Sequence, residues 1–129
     1  MEERKKLSEQ VIACAYVVSN RLGVGFLESV YENALCVELE KRGIQYQQQK
    51  PLKVFYEGVV VGNFVTDVIV EDKLLVELKV VTTLLANHKA QLMNYLKATE
   101  IPVGLLLNFG TPKVGVQRIV NQYIESELI

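Results

Sequence analysis

Cysteine, basic excess and long apolar runs are all scarce in this chain, and each scarcity removes a class of protein. Cys14 and Cys36 are its only cysteines; both fall in segments that read as helical, and neither has the paired spacing of a zinc site. They are read as small core residues in a reducing compartment. Lysine plus arginine number 14 against 15 aspartates and glutamates, so the formal net charge is −1 with the single histidine neutral. A nucleic-acid binder that works by bulk charge would be visibly basic, which leaves only local basic patches open. No span approaches the roughly 20 apolar residues of a membrane-crossing helix, and the charged start MEERKKLSEQ carries no apolar core of signal-peptide length. The expectation is a soluble, cytoplasmic protein with no membrane partner.

What is present is an ordinary globular balance. Half of the 129 residues are apolar and 22% are charged, and the length fits one domain over residues 1–129 with a core of its own. Leu7, Val11, Cys14, Ala15, Val18 and Leu22 recur at helical spacing and predict an amphipathic helix ending at Gly23. After the tight connector Gly23-Val24-Gly25, a second helix is expected from Phe26 or Leu27 to Arg42, with Gly43 as its stop. Leu27, Val30, Tyr31, Ala34 and Leu35 make its buried stripe. Glu28 lies one turn from Tyr31 and Glu32, so the three share a flank; by spacing alone, Glu28 is a favourable negative charge in a first helical turn. From Ile44 the period changes to two, giving an edge strand with Pro51 at a bulge or break, a Glu57-Gly58 hairpin turn, and a second strand from Val59 with Gly62 at a bend or bulge.

The stretch FVTDVIVEDKLLVELKV, Phe64 to Val80, is the centre of the chain. It is apolar almost throughout, yet Asp67, Glu77 and Lys79 interrupt it. Period two puts Glu77 and Lys79 on one face and Val76, Leu78 and Val80 on the other. A three-residue loop, Glu71-Asp72-Lys73, pairs Val70 with Leu74 and brings Asp67 opposite Glu77; a two-residue loop would put Asp67 opposite Val76, on the wrong face. Opposed carboxylates about 4.5–5.5 Å apart at Cβ repel, and either a divalent cation or Lys79 offsets that. A solvated face with a surface ion pair is the plain alternative. It fits poorly with Val65, Ile69 and Leu75, which flank the charges and look covered, and an acidic pair with a lysine in that surround suggests a pocket.

Beyond Val80 helical spacing returns with Leu85, Leu92, Met93 and Leu96, and Asn87 as the cap. His88, Gln91 and Tyr95 share a face that is either solvated or turned towards Glu77 and Lys79. His88 reads as a capping or surface residue, or as a proton shuttle. Val103 to Phe109 is expected as a buried strand parallel to the Glu77 strand, followed by a turn at Thr111-Pro112-Lys113, a strand from Gly115 to Val120, and a short terminal helix over residues 121–129.

Gly25-Phe26-Leu27-Glu28-Ser29-Val30-Tyr31, followed in order by Asp67, Glu77-x-Lys79, HKAQLMNYLKAT and IPVGLLLNFG, resembles the GxxExxY family of the PD-(D/E)XK nuclease superfamily over nearly the whole chain. The resemblance implies an α/β (α+β) restriction-endonuclease-like core, a mixed sheet of about five strands flanked by helices. It implies Mg²⁺, with Mn²⁺ as a substitute, bound by Asp67, Glu77, the Leu78 carbonyl and Glu28. Lys79 would orient or activate the attacking water, and Gln91 with Tyr95 would position the substrate or the lysine. Thr66 stands where the superfamily's name implies proline.

The chemistry these residues suit is metal-assisted phosphodiester hydrolysis in nucleic acid, with DNA the expected substrate. Asp67, Glu77, Lys79 and Glu28 are the candidate catalytic residues; Tyr31, His88, Gln91 and Tyr95 are candidates for substrate positioning or for supporting those residues from behind. Two rival classes remain: a non-catalytic module on the same fold that binds nucleic acid or protein, and a structural role with a homodimer or protein partner, for which Val103 to Phe109 and the C-terminal tail would supply surface.

Overall fold

Leu7, Val11, Cys14, Ala15 and Val18 form the buried stripe that their spacing predicts, and they pack helix α1 (Glu2–Leu22) into the core. The structure is a computed structural model that describes residues 2–122. The expected terminal helix falls mostly on residues 123–129, outside the described residues. Gly23 and Gly25 both take positive φ, 66° and 113°, which ends α1 and turns the chain into α2 (Glu28–Lys41).

Among the described residues five strands follow: β1 (Tyr46–Tyr56), β2 (Val59–Val70), β3 (Leu74–Lys79), β4 (Val103–Asn108) and β5 (Gly115–Val120), with helix α3 (Ala86–Thr99) between β3 and β4. They lie side by side in chain order. Only β3 and β4 pair in parallel, because α3 carries the chain back to the start of the sheet; the other neighbours are antiparallel. This is the mixed five-stranded α+β arrangement that the sequence leads one to expect. Val68, Val70, Val76, Leu78, Leu105 and Leu107 join the core of α1 and α2, whereas Ile69, Leu75 and Leu106 meet Leu92 and Leu96 of α3. The alternation along each strand thus assigns successive side chains to the two helical layers. Among the described residues no helix is long and apolar enough to cross a membrane.

Several local expectations are corrected. Leu27 is the extended N-cap of α2 and is 77% exposed, and the buried stripe runs through Tyr31, Glu32, Leu35, Cys36 and Leu39, which turns Val30 outward. Pro51 does not break β1: it stands opposite Val65 in a continuing ladder on an edge strand, where a missing N–H is tolerated. The register shift lies further on, beside Gly62 as expected, where Val61 is the extra residue between the pairs Val54–Gly62 and Phe55–Val60. Val65 is exposed, as are Phe55, Tyr56 and Val59 near the hairpin turn. Asn87 is not the cap of α3; Leu85 is. β4 is buried along its whole length between β3 and β5, so it supplies no surface for a partner.

The ends of β3 and β4 are clamped together. Phe109 N–H donates to the Lys79 carbonyl at 2.9 Å, while Asn108 accepts Val81 N–H at 3.0 Å and donates to the Val81 carbonyl at 2.9 Å. Gly110 lies so close that a Cβ there would overlap the Val81 backbone, which has no flexible end to move. Gly110→Ala is therefore expected to destabilise the fold by about 1–3 kcal/mol. Gly115→Ala, whose added Cβ meets Asn108 at ordinary contact distance, should change little. Thermal melting of the two variants side by side checks the difference.

Candidate active site

The β2–β3 turn pairs Val70 with Leu74, Ile69 with Leu75 and Val68 with Val76, the register that a three-residue loop sets. Pairing stops there, one residue short of Asp67 and Glu77, and the two carboxylates take the place of backbone acceptors. Asp67 N–H donates to Glu77 Oε1 at 3.1 Å, and Leu78 N–H donates to Asp67 Oδ2 at 2.8 Å. Each carboxylate is thereby anchored to the opposite strand while the two face each other. Glu77 is only 5% exposed, which removes the surface ion-pair reading. Burial, and then the charge of Asp67, push its carboxyl up to about 9.

Lys79 stands two residues on, half-buried, with Nζ donating to Gln91 Oε1 of α3 at 3.3 Å. Tyr95, one turn beyond Gln91, stacks on Phe64 with ring centroids 4.3 Å apart. Burial, followed by the charges of Glu77 and Asp67, raises the pKa of its phenol, which places it beside the acidic pair. Glu28 opens α2 and is half-buried. Burial first, and then Asp67, raise its carboxyl pKa, and Lys79 opposes the rise. Its electrostatic neighbours therefore come from β2 and β3, which a simple helix-start charge would not require.

Two of the expected positioning residues do other things. Tyr31 is fully buried, its ring stacked 4.9 Å from Phe109, and its hydroxyl donates to the Gly23 carbonyl at 2.6 Å and accepts Phe26 N–H at 3.3 Å. It has no face left for substrate. What it does is hold the glycine turn that presents Glu28. His88 Nδ1 accepts Leu85 N–H at 2.9 Å and closes the start of α3, the capping role that its position in the sequence offered.

The structure adds to the site three residues that the sequence reading did not name as functional: Glu32, Gln48 and Gln49. Glu32, 5% exposed on α2, accepts Gln48 Nε2 at 2.7 Å and Gln49 Nε2 at 2.9 Å, and Gln49 also reaches Asp67 Oδ1 at 3.4 Å. Burial raises the Glu32 carboxyl, the two amides oppose the rise, and Asp67 adds to it. The visible signal was the spacing of Glu28 and Glu32 by one helical turn beside the glutamine run Gln47-Gln48-Gln49.

Among the described residues no group of three or more His, Cys, Asp or Glu side chains is arranged to hold a metal ion. The donors are instead two facing carboxylates with Glu28 nearby, a hard-oxygen set that fits a divalent ion retaining part of its water. A mixed sheet whose second and third strands bring an aspartate against Glu-x-Lys is the core of a nuclease superfamily. A sequence profile of the PD-(D/E)XK nuclease superfamily matches residues 5–119, and the chain belongs to that superfamily. Such nucleases act on nucleic acid and generally use divalent metals. The crystal structure of SSO0001 is similar in fold, with a TM-score of 0.59 and 18% identity over 71% of this chain and 48% of that one. The chain thus spans about half of that protein's length. No curated protein matches the sequence.

The raised Glu77 carboxyl has a consequence for stability. The native state keeps a proton that the unfolded chain, near its ordinary value of 4.5, releases. The unfolded state therefore binds fewer protons between about pH 4.5 and about 9, and metal-free stability should fall as pH rises through that window. Glu77→Gln should flatten the profile, matching wild type at pH 5 and melting higher at pH 8 by several degrees, about 4 °C for each kcal/mol gained. Melting curves in chelator across that range measure it.

Proposed function

We propose that this protein is a Mg²⁺-dependent nuclease that hydrolyses phosphodiester bonds in DNA, with Mn²⁺ able to substitute. The observation that carries the reading is the pair Asp67–Glu77, held face to face by the opposite strand's amides with Lys79 alongside. Two facing carboxyls, Glu77 buried and Asp67 half-buried, are a poor device for stability and a good one for collecting a cation. Asp67 and Glu77 are the proposed ligands, with the Leu78 carbonyl and Glu28 completing the set. A divalent ion held there supplies Lewis-acid polarisation of the phosphodiester and makes an attacking water more acidic.

The remaining steps belong to the side chains. Lys79, oriented by Gln91, places its ammonium where negative charge builds on the phosphoryl oxygens. The water oxygen bonds to phosphorus as the bond to one ester oxygen breaks; one water proton passes through solvent to the leaving alkoxide and the other stays with the phosphomonoester. Gln91 and Tyr95, on the α3 face beside the acidic pair, are the proposed contacts to the substrate strand. With a net charge of −1, affinity for nucleic acid rests on local lysines such as Lys89 and Lys97, so it should be modest and fall with salt.

Two measurements test the reading. Mn²⁺ at about a hundred times its dissociation constant should stabilise wild type by about 2.7 kcal/mol, and Asp67→Ala should abolish the shift; an equal shift in both proteins refutes the site. On labelled single-stranded, duplex and flap DNA and RNA at low salt, wild type with Mn²⁺ should cut DNA with little sequence preference. Lys79→Ala should lose cutting, at least a hundredfold, while keeping its Mn²⁺ shift. Binding without cutting would favour the binding-module reading, and equal cutting by both proteins would mark a contaminant.

A further inference from the structure

Neighbouring residues of a strand point to opposite faces, yet Gln48 and Gln49 both reach one carboxylate. Gln48 Nε2 lies 2.7 Å from Glu32 Oε2, and Gln49 Nε2 lies 2.9 Å and 3.0 Å from Oε1 and Oε2 of the same side chain. The backbone shows how. Gln49 has φ of 53°, a left-handed conformation that is uncommon outside glycine. The β1–β2 ladder pairs Gln48 with Val68 and Lys50 with Thr66 but skips Gln49 and Asp67 between them. The distortion therefore sits directly across from the aspartate of the site. A residue held in such a region at a cost of order 1–3 kcal/mol persists only where its surroundings over-determine it, and such residues gather at functional sites.

Glu32 is what over-determines it. That carboxylate is buried and takes both amides, and Gln48 is itself tied to Asn33 Oδ1 at 2.6 Å. From this anchor Gln49 Nε2 extends to Asp67 Oδ1 at 3.4 Å. The other oxygen, Oδ2, is the one fixed by Leu78 N–H. One donor on each oxygen sets the plane of the Asp67 carboxylate, and a regular strand at residue 49 would turn the second donor away. We propose that Gln49, held in its left-handed conformation by the buried Glu32, is a positioning residue that orients the Asp67 carboxylate for binding a divalent cation. The inference rests on the reading of Asp67 as a metal ligand. The competing possibility is that the Gln49–Glu32 contact merely ties β1 to α2.

Mn²⁺ dissociation constants from titration calorimetry, with melting temperatures of the metal-free proteins, separate the two. Gln49→Gly removes the amide and relieves the backbone; Gln49→Ala removes the amide and keeps the strain. A positioning role predicts that Gln49→Gly melts above Gln49→Ala while both bind Mn²⁺ about tenfold more weakly than wild type, the scale of a lost contact behind a metal ligand. Wild-type affinity in Gln49→Gly overturns the proposal, as does an affinity loss that follows the order of melting temperatures. If wild type itself binds no Mn²⁺, the metal reading of Asp67 falls and this inference with it.

Discussion

Beyond Val68 and Val76 the strands β2 and β3 exchange backbone carbonyls for carboxylates as hydrogen-bond acceptors, and the surroundings of the site answer the charge this introduces. Two unit charges about 5 Å apart repel by roughly 3 kcal/mol at an effective dielectric of about 20, a large share of the roughly 5–15 kcal/mol that holds a domain folded. The fold accommodates them by keeping Glu77 protonated in the absence of a cation and by placing Lys79 within reach. Glu28 and Glu32 add further carboxyls nearby: burial first, and then Asp67, raise both of them. Under the proposed function, a cation bound at this cluster would relieve that repulsion.

Helix α2 reaches the cluster because of its first turn. Gly25 permits the backbone to swing at φ of 113°, Tyr31 fastens the turn from inside, and Glu28 lies between the two, where the helix begins. Phe109, stacked on Tyr31, carries the same constraint across to the end of β4. Glycine and tyrosine thus serve the glutamate without meeting a ligand, and the spacing of three residues on either side of Glu28 is the length of one helical turn and its entry.

The legible part of this protein was the part governed by period and turn length. The register that sets Asp67 against Glu77 follows from alternation and a loop of three residues, and both can be counted in the sequence. The helical stripe of α1 is equally regular. Tyr31 was legible as a buried member of the α2 stripe, but not the partner of its hydroxyl, since a tyrosine one turn from a glutamate looks the same whether it turns to substrate or back to Gly23. Leu27 was misread because a residue at the boundary belongs to the N-cap and not to the helical face. Gln49 could not be read at all: a glutamine in an alternating segment carries no mark of a positive φ, which arises from the tertiary pull of Glu32. Asn108 hides for a related reason, since its partners on Val81 lie far off in the chain.

The clamp between Val81 and Asn108 and the acidic pair close chain segments of very different length. Asp67 and Glu77 are ten residues apart and meet through a hairpin, whereas Val81 and Asn108 are 27 apart and meet only after α3 has folded back to seat β4. Loop closure disfavours the longer separation, and parallel pairing gains nothing until it is made. The acidic pair can therefore form while the backbone beyond Lys79 is still free. By loop-closure entropy the hairpin that sets Asp67 against Glu77 is the cheaper closure, and the crossover that brings Gln91 of α3 to Lys79 and seats β4 is the costlier one.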